Sequence, residues 1–245
     1  MLIPHIGGRY ADIVGFHDPA LERLVEICSD WGRFEWLIED ALRQGHRVGV
    51  VANSDGHKGR PGASHPGAST FGAYGGLTCV LAETLTRDAV FEALRRRRCY
   101  ATTAAQRIHV ELAVNGLPMG AEGRAAGPVT ISGRTVGTAP VERVDIFRGL
   151  DRIRTVTPYT AASFEGSSRY RVAWAGSRVR GRDRLTPWDG HLEISAGRLV
   201  EAEPFAMENP EKGIVGRTDS SVRWVSNTTG DDDGVDLTLD APADA

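Results

Sequence analysis

Asp55 and His57 stand two residues apart just after an apolar run, Val50-Val51-Ala52, and open a Gly/Pro-rich basic loop, Lys58-Gly59-Arg60-Pro61-Gly62. On an extended strand alternate side chains share a face, so this spacing points a carboxylate and an imidazole the same way from one strand end. Both groups ligate divalent cations. The competing reading is a turn after the strand, with Asp55 accepting from backbone N–H groups. His5 follows a short apolar start, Leu2-Ile3-Pro4, and precedes Gly7-Gly8. Glu26 interrupts an apolar stretch from Leu24 to Cys28, where a buried carboxylate needs partners. It reads either as the group that orients a metal-bound histidine from behind or as a solvent-facing residue at a sheet edge, the first being preferred. No Gly-x-Ser-x-Gly elbow or phosphate-cradling Gly-Lys-Ser/Thr loop occurs, and Cys28, Cys79 and Cys99 have no Cys-x-x-Cys spacing. The chemistry expected is therefore metal-assisted and not that of a side-chain nucleophile.

The elements that must position these residues change texture near residue 106. Before it, short apolar runs alternate with amphipathic segments: a strand at Leu24 to Cys28, a helix at Phe34 to Gln44 stopped by Gly45, and a strand at Arg47 to Asn53. Beyond the glycine-rich loop, a strand at Leu77 to Ala82 precedes a helix capped by Thr86 and running to about Arg98, with Val90, Phe91 and Leu94 inward. That alternation is the rhythm of parallel βα units. After it, strict alternation takes over: Ile108, Val110, Leu112 and Val114 lead into Asn115-Gly116, a hairpin signal. Similar short runs recur around Val129, Val144, Tyr170, Leu192, Val222 and Val235, predicting seven or eight antiparallel strands in a β-sandwich.

With 245 residues, a formal net charge of −3 and a sequence pI near 6.2, the chain has no electrostatic case for nucleic acid or anionic membrane. The four arginines Arg95 to Arg98 end a predicted helix, where they complement its dipole, and Asp231-Asp232-Asp233 reads as an acidic turn. No apolar run approaches the roughly 20 residues that span a bilayer, and the first residues lack signal-peptide character. Reduced thiols and a cytoplasmic location are expected.

The run Asn53-Ser54-Asp55-Gly56-His57-Lys58-Gly59-Arg60-Pro61-Gly62 resembles the last metal motif of the polymerase-and-histidinol-phosphatase (PHP) superfamily of metal-dependent phosphoesterases. Ile3-Pro4-His5 and Leu24-Val25-Glu26-Ile27 resemble the two segments that precede it in the same order. The stretch Ala93 to Thr103 and Trp188-Asp189-Gly190 resemble an uncharacterised branch with a β-rich C-terminal extension. The resemblance implies the C-terminal portion of a distorted (βα)7 barrel over residues 1–106, an antiparallel β-sandwich over 107–240 and a frayed tail at 241–245. It implies a multinuclear centre of zinc, manganese or iron at the strands' C-terminal ends, hydrolysing a small phosphorylated or ester substrate with metal-activated water. His5, Asp55 and His57 would be metal ligands, with Lys58 and Arg60 toward the substrate, where a guanidinium holds phosphate bidentately. The family's opening His-x-His pair and bridging glutamate have no counterpart here, as though the chain began at about the fifth of seven strands. This polypeptide alone is accordingly expected to bind little or no metal and to be inactive. Open barrel edges around Leu24 to Cys28 would be covered by a partner chain or a second copy. The alternative is a non-catalytic β-sandwich binding module carrying a vestigial half barrel, with Tyr170, Trp174, Trp188 and Trp224 as an aromatic surface.

Overall fold

In the computed structural model, residues 1–5, 11–57, 59, 73–104, 106–177 and 185–240 are described. The expected substrate-facing residues Lys58 and Arg60 and the expected frayed tail at 241–245 lie outside them. The described fold is mostly β, with two α-helices, one 3-10 turn and several small open sheets; no closed barrel forms among these residues. One parallel strand–helix–strand unit forms as the alternation predicts, but the next two strands pair antiparallel in place of continuing the expected run.

Strand β1 (Leu24–Ser29) turns back through β2 (Gly32–Arg33) and leads into helix α1 (Glu35–Arg43). Strand β3 (Gly49–Ala52) then pairs parallel to β1, with Leu24 opposite Gly49 and Cys28 opposite Ala52. The helix forms as its periodicity predicts: Leu37 and Ala41 are fully buried and pack with Ile13, Val25 and Phe34. β1 is not the bare edge expected from its sequence. It lies between β2 and β3, and its Glu26 N–H donates to the Pro4 carbonyl at 3.1 Å. Strand β4 (Gly76–Val80), helix α2 (Arg87–Arg95) and strand β5 (Cys99–Thr103) follow. Thr86 caps α2 by accepting from the Ala89 N–H at 3.3 Å, as its position predicts. Phe91, expected inward, is about half exposed, and Ala93 is the buried residue of that helix. Cys28 and Cys99 are buried, and burial pushes their thiols up to about 12 and about 11, which removes them as nucleophiles at neutral pH.

The β-rich remainder begins with β6 (His109–Val114), β7 (Leu117–Pro118), β8 (Ile131–Val136), β9 (Val144–Arg148) and β10 (Asp151–Val156). Asn115 and Gly116 both adopt positive φ and close the β6–β7 hairpin, as the dipeptide predicts. Next come β11 (Arg169–Ala175), β12 (Thr186–Pro187), β13 (Gly190–Glu193), β14 (Leu199–Phe205), β15 (Gly213–Arg217), β16 (Ser221–Val225), β17 (Asn227–Thr228) and β18 (Asp232–Leu239). Two three-stranded antiparallel sheets, β11-β18-β14 and β13-β16-β15, share one core of Leu199, Val222, Trp224, Val235, Leu237 and Leu239. Strands β6 to β10 contribute no buried residue to it, so the core is narrower than a sandwich of all the expected strands. Tyr170, Trp174 and Trp224 pack in or against that core, and Trp188 is 37% exposed. Trp174 and Trp224 stack at 4.8 Å, and the three indole N–H groups donate inward: Trp174 to Ser226 Oγ, Trp188 to Thr228 Oγ1 and Trp224 to the Trp188 carbonyl.

The acidic run is not the solvated turn its composition suggests. Asp231 and Asp233 are 1% and 2% exposed and, with Glu208, meet the β2 hairpin of the first part. Arg33 donates to Asp232 at 2.7 Å, its N–H donates to the Thr229 carbonyl at 3.0 Å, and Glu208 accepts from the Tyr74 N–H. A Cβ on Gly32, which sits at φ +132°, would come within 2.2 Å of the Thr229 carbonyl oxygen, so backbone meets backbone there. Gly32→Ala should therefore lower unfolding free energy by at least about 2 kcal/mol, read from chemical denaturation; an unchanged midpoint would contradict this contact.

Burial raises Glu208 to about 7 and Asp233 to about 6, with the neighbouring Asp231 charge adding to each and Arg33 opposing. A raised carboxyl means the folded state holds a proton that the unfolded chain gives up near 4.5. The associated stability is full below that pH and lost as pH rises through about 7. Glu208→Gln should thus gain on the wild type above pH 7, by of order 2 kcal/mol, and lose that advantage near pH 5. Thermal unfolding across this range checks it; a constant difference would contradict it.

Candidate functional site

The parallel pairing of β1 with β3 brings the ends of both strands to one edge, and the segment before β1 runs alongside it. His5, Glu26 and Asp55 meet there. The buried Glu26 projects from mid-β1; one carboxylate oxygen contacts His5 Nδ1 and the other accepts from Asn53 Nδ2 at 2.6 Å. Its two oxygens are thus both engaged, as a buried carboxylate requires. On the far side of the imidazole, His5 Nε2 lies 3.3 Å from Asp55 Oδ2. His5 is therefore set between two carboxylates contributed by segments 21 and 50 residues further along the chain.

Asp55 does not lie on the strand as its spacing with His57 suggests. β3 ends at Ala52, and Asp55 sits beyond it at φ +49°, a left-handed conformation uncommon outside glycine but tolerated by aspartate. His57 follows in a turn. The bend is braced from β4: Gly76 N–H donates to the Asn53 carbonyl at 3.0 Å. A Cβ on Gly75, at φ +73°, would come within 2.7 Å of that same carbonyl oxygen and 3.0 Å of Ser54 Cα. Only glycine permits this approach.

Desolvation raises the Asp55 carboxyl above the ordinary aspartate range; the His5 and His57 charges pull it down, Glu26 pushes it up, and a hydrogen bond from Trp31 lowers it. His57 thus lies close enough to act on Asp55 electrostatically. Asp55 Oδ2 is shielded from solvent and has no hydrogen-bond donor among the described residues. The His5 nitrogen at 3.3 Å is within ion-pairing distance but does not satisfy hydrogen-bond geometry. Two ligands on one tetrahedral cation, at bonds of about 2.0–2.2 Å, stand about 3.4 Å apart. The His5–Asp55 separation fits two such positions, with Glu26 behind His5 as the carboxylate that fixes its tautomer. The fit stops at two: among the described residues no group of three or more His, Cys, Asp or Glu side chains is arranged to hold a metal ion.

The residues marked out by sequence thus fall into two sets. His5, Glu26, Asp55 and His57 are brought to one place, whereas Lys58 and Arg60 lie outside the described residues. Asn53 and Trp31 were not anticipated. Asn53 carried a signal, being a polar residue at the C-terminal end of an apolar strand; Trp31 carried none, because its role depends on the β1–β2 turn. His17 and Asp18 lie apart from this site in a turn, with Asp18 Oδ1 accepting from the Ala20 and Leu21 N–H groups, and the His17 ring stacks on His46 at 3.9 Å.

No helix among the described residues is long and apolar enough to cross a membrane. No solved structure matches this chain. An uncharacterized protein of Chlamydia trachomatis (serovar D) is 34% identical over 171 residues, which cover 58% of this chain and 27% of that protein. An uncharacterized protein of Chlamydia muridarum is 34% identical over 175 residues, covering 60% of this chain and 28% of its own length. A third, from Chlamydia pneumoniae, is 29% identical over 166 residues, 57% of this chain and 26% of the relative. The match thus spans little more than a quarter of each relative. Residues 44–117, which include Asp55 and His57 but neither His5 nor Glu26, are similar to a family described as a protein of unknown function (DUF3604).

Proposed function

We propose that His5 and Asp55, with His57 beside them, are part of the metal centre of a PHP-like metal-dependent hydrolase acting on a small phosphoester. The single observation that carries the reading is the His5 Nε2–Asp55 Oδ2 pair, 3.3 Å apart at the C-terminal edge of two parallel strands, with an undonated carboxylate oxygen between them. In this reading β1 to β5 belong to an incomplete (βα)7-type barrel over residues 1–106, and the strands of 107–240 form an antiparallel β-domain. The centre is completed by donors outside the described residues, and the chain by itself is inactive. Zinc, manganese or iron suits the donor chemistry, and a metal in a complete centre supplies the nucleophilic water. The protein's own residues do the positioning: Glu26 holds the His5 ring, Asn53 holds Glu26, and Gly75 lets β4 brace the Asp55 bend. Tyr170, Trp174 and Trp224 pack in the β-domain core, which leaves Trp188 as the exposed member of the aromatic-surface alternative.

Calorimetric titration of this chain with zinc or manganese should give weak binding or none, because two ligands compete poorly with water. A tight isotherm at several sites would overturn the incomplete-centre reading. In the longest polypeptide that contains this chain, Asp55→Ala should abolish phosphomonoesterase activity. Glu26→Gln should weaken metal affinity about 10–100-fold by loosening His5. Full activity in both variants would remove these residues from the reaction.

A further inference from the structure

The arginine run after α2 looks at first like dipole compensation, and two of its members serve such ends. Arg95 and Arg96 both pair with Glu92 on the helix. Arg97 sits at φ +58°, in the place after a helix that glycine usually takes, and its guanidinium reaches Glu122 and the Arg47 carbonyl. Arg98 is different. Its Nε is shielded from solvent and has no hydrogen-bond partner among the described residues.

Arg98 lines a cleft of about 280 Å3 together with Arg23, Arg96, Arg97, Pro118 and Met119, and no carboxylate lines it among the described residues. Glu92 offsets Arg96, and Glu122 offsets Arg97. Arg23 donates only to neutral carbonyls, those of Arg95 at 3.1 Å and Pro19 at 3.3 Å. Arg23 and Arg98 thus both line a cleft on whose wall no carboxylate lies among the described residues. Gathering like charges costs electrostatic free energy that a bound dianion would recover, and guanidinium forks match the oxygens of phosphate. The cleft also continues, through Pro118 to Ala121, into an apolar groove of about 420 Å3 walled by Leu112, Val114 and Leu117.

We infer that this cleft binds a small phosphomonoester, its phosphate between Arg23 and Arg98 and its apolar body along Met119 and Leu117. The site is separate from the His5–Asp55 edge. Arg23 precedes β1 and Arg97 contacts Arg47, which precedes β3, so the arginines cluster where these parallel strands begin. Asp55 lies beyond the other end of β3, and His5 lies against Glu26, three residues or about 10 Å along the chain from Arg23.

Phenyl phosphate and inorganic phosphate, titrated into the 245-residue chain at constant ionic strength, test this. Phenyl phosphate should bind saturably and more tightly than inorganic phosphate. Arg98→Gln and Arg23→Gln should each weaken both ligands about tenfold or more. Met119→Ala should weaken phenyl phosphate alone, and Asp55→Ala should change neither. Circular dichroism establishes that each variant is folded, and either arginine variant suffices if the other is not. Binding unchanged in a folded arginine variant, or lost in Asp55→Ala, overturns the assignment. So does a single-stranded oligonucleotide that binds more tightly than phenyl phosphate through the same arginines, which would make the cleft a nucleic-acid contact.

Discussion

A buried carboxylate in a strand must be matched, and Glu26 sets the terms for everything around it. Left alone in the interior of β1 it would cost several kcal/mol. Its two oxygens are instead met by His5 from the segment before the sheet and by Asn53 from the end of β3. That requirement fixes the N-terminal segment against β1 and holds the start of the Asp55 bend in place. It also turns the second nitrogen of His5 toward Asp55. The seating of the N-terminal segment and the facing of His5 and Asp55 thus follow from one buried carboxylate, while Gly75 permits the bend.

A second buried acidic cluster links the two halves of the molecule by a different logic. Burial raises the proton affinity of Glu208, Asp231 and Asp233, the Asp231 charge adds to that of Glu208 and Asp233, and Arg33 on the other half opposes all three. Such a junction costs stability when fully ionised. It is held by backbone contacts that tolerate no side chain, Gly32 against Thr229 and Gly230 against Arg33. Whereas Glu26 is balanced by neutral and basic donors, this cluster remains electrostatically loaded, with one oxygen each of Asp231 and Asp233 buried without a donor.

What was legible in the sequence follows from where constraint is strongest. β1, β3, β16 and β18 are buried or central, so their apolar pattern is forced, and each was readable. The strands that the apolar pattern does not mark lie mostly at edges. β14 carries Glu201, Glu203 and Pro204 with mostly exposed positions, which an edge strand allows, and β15 is glycine-rich and also at an edge. β10 is exposed throughout, and β5 lacks the alternation that marks a strand. The site was legible in its residue types, because few chemistries place Asp-x-His after an apolar strand with a lone glutamate upstream. Its geometry was not. The left-handed turn at Asp55 depends on Gly75, some 20 residues away, and Trp31 reaches the site from the tight turn between β1 and the two-residue β2. Burial of Asp231 and Asp233 was equally hidden, since it arises from contact with a hairpin about 200 residues earlier.

The most direct measurement is anomalous diffraction from crystals of this chain soaked in millimolar zinc. A peak within bonding distance of both His5 Nε2 and Asp55 Oδ2, with Glu26 still against the other face of the imidazole, is the expected result. Zinc found only elsewhere on the surface, with His5 and Asp55 turned apart, would contradict a shared cation between them.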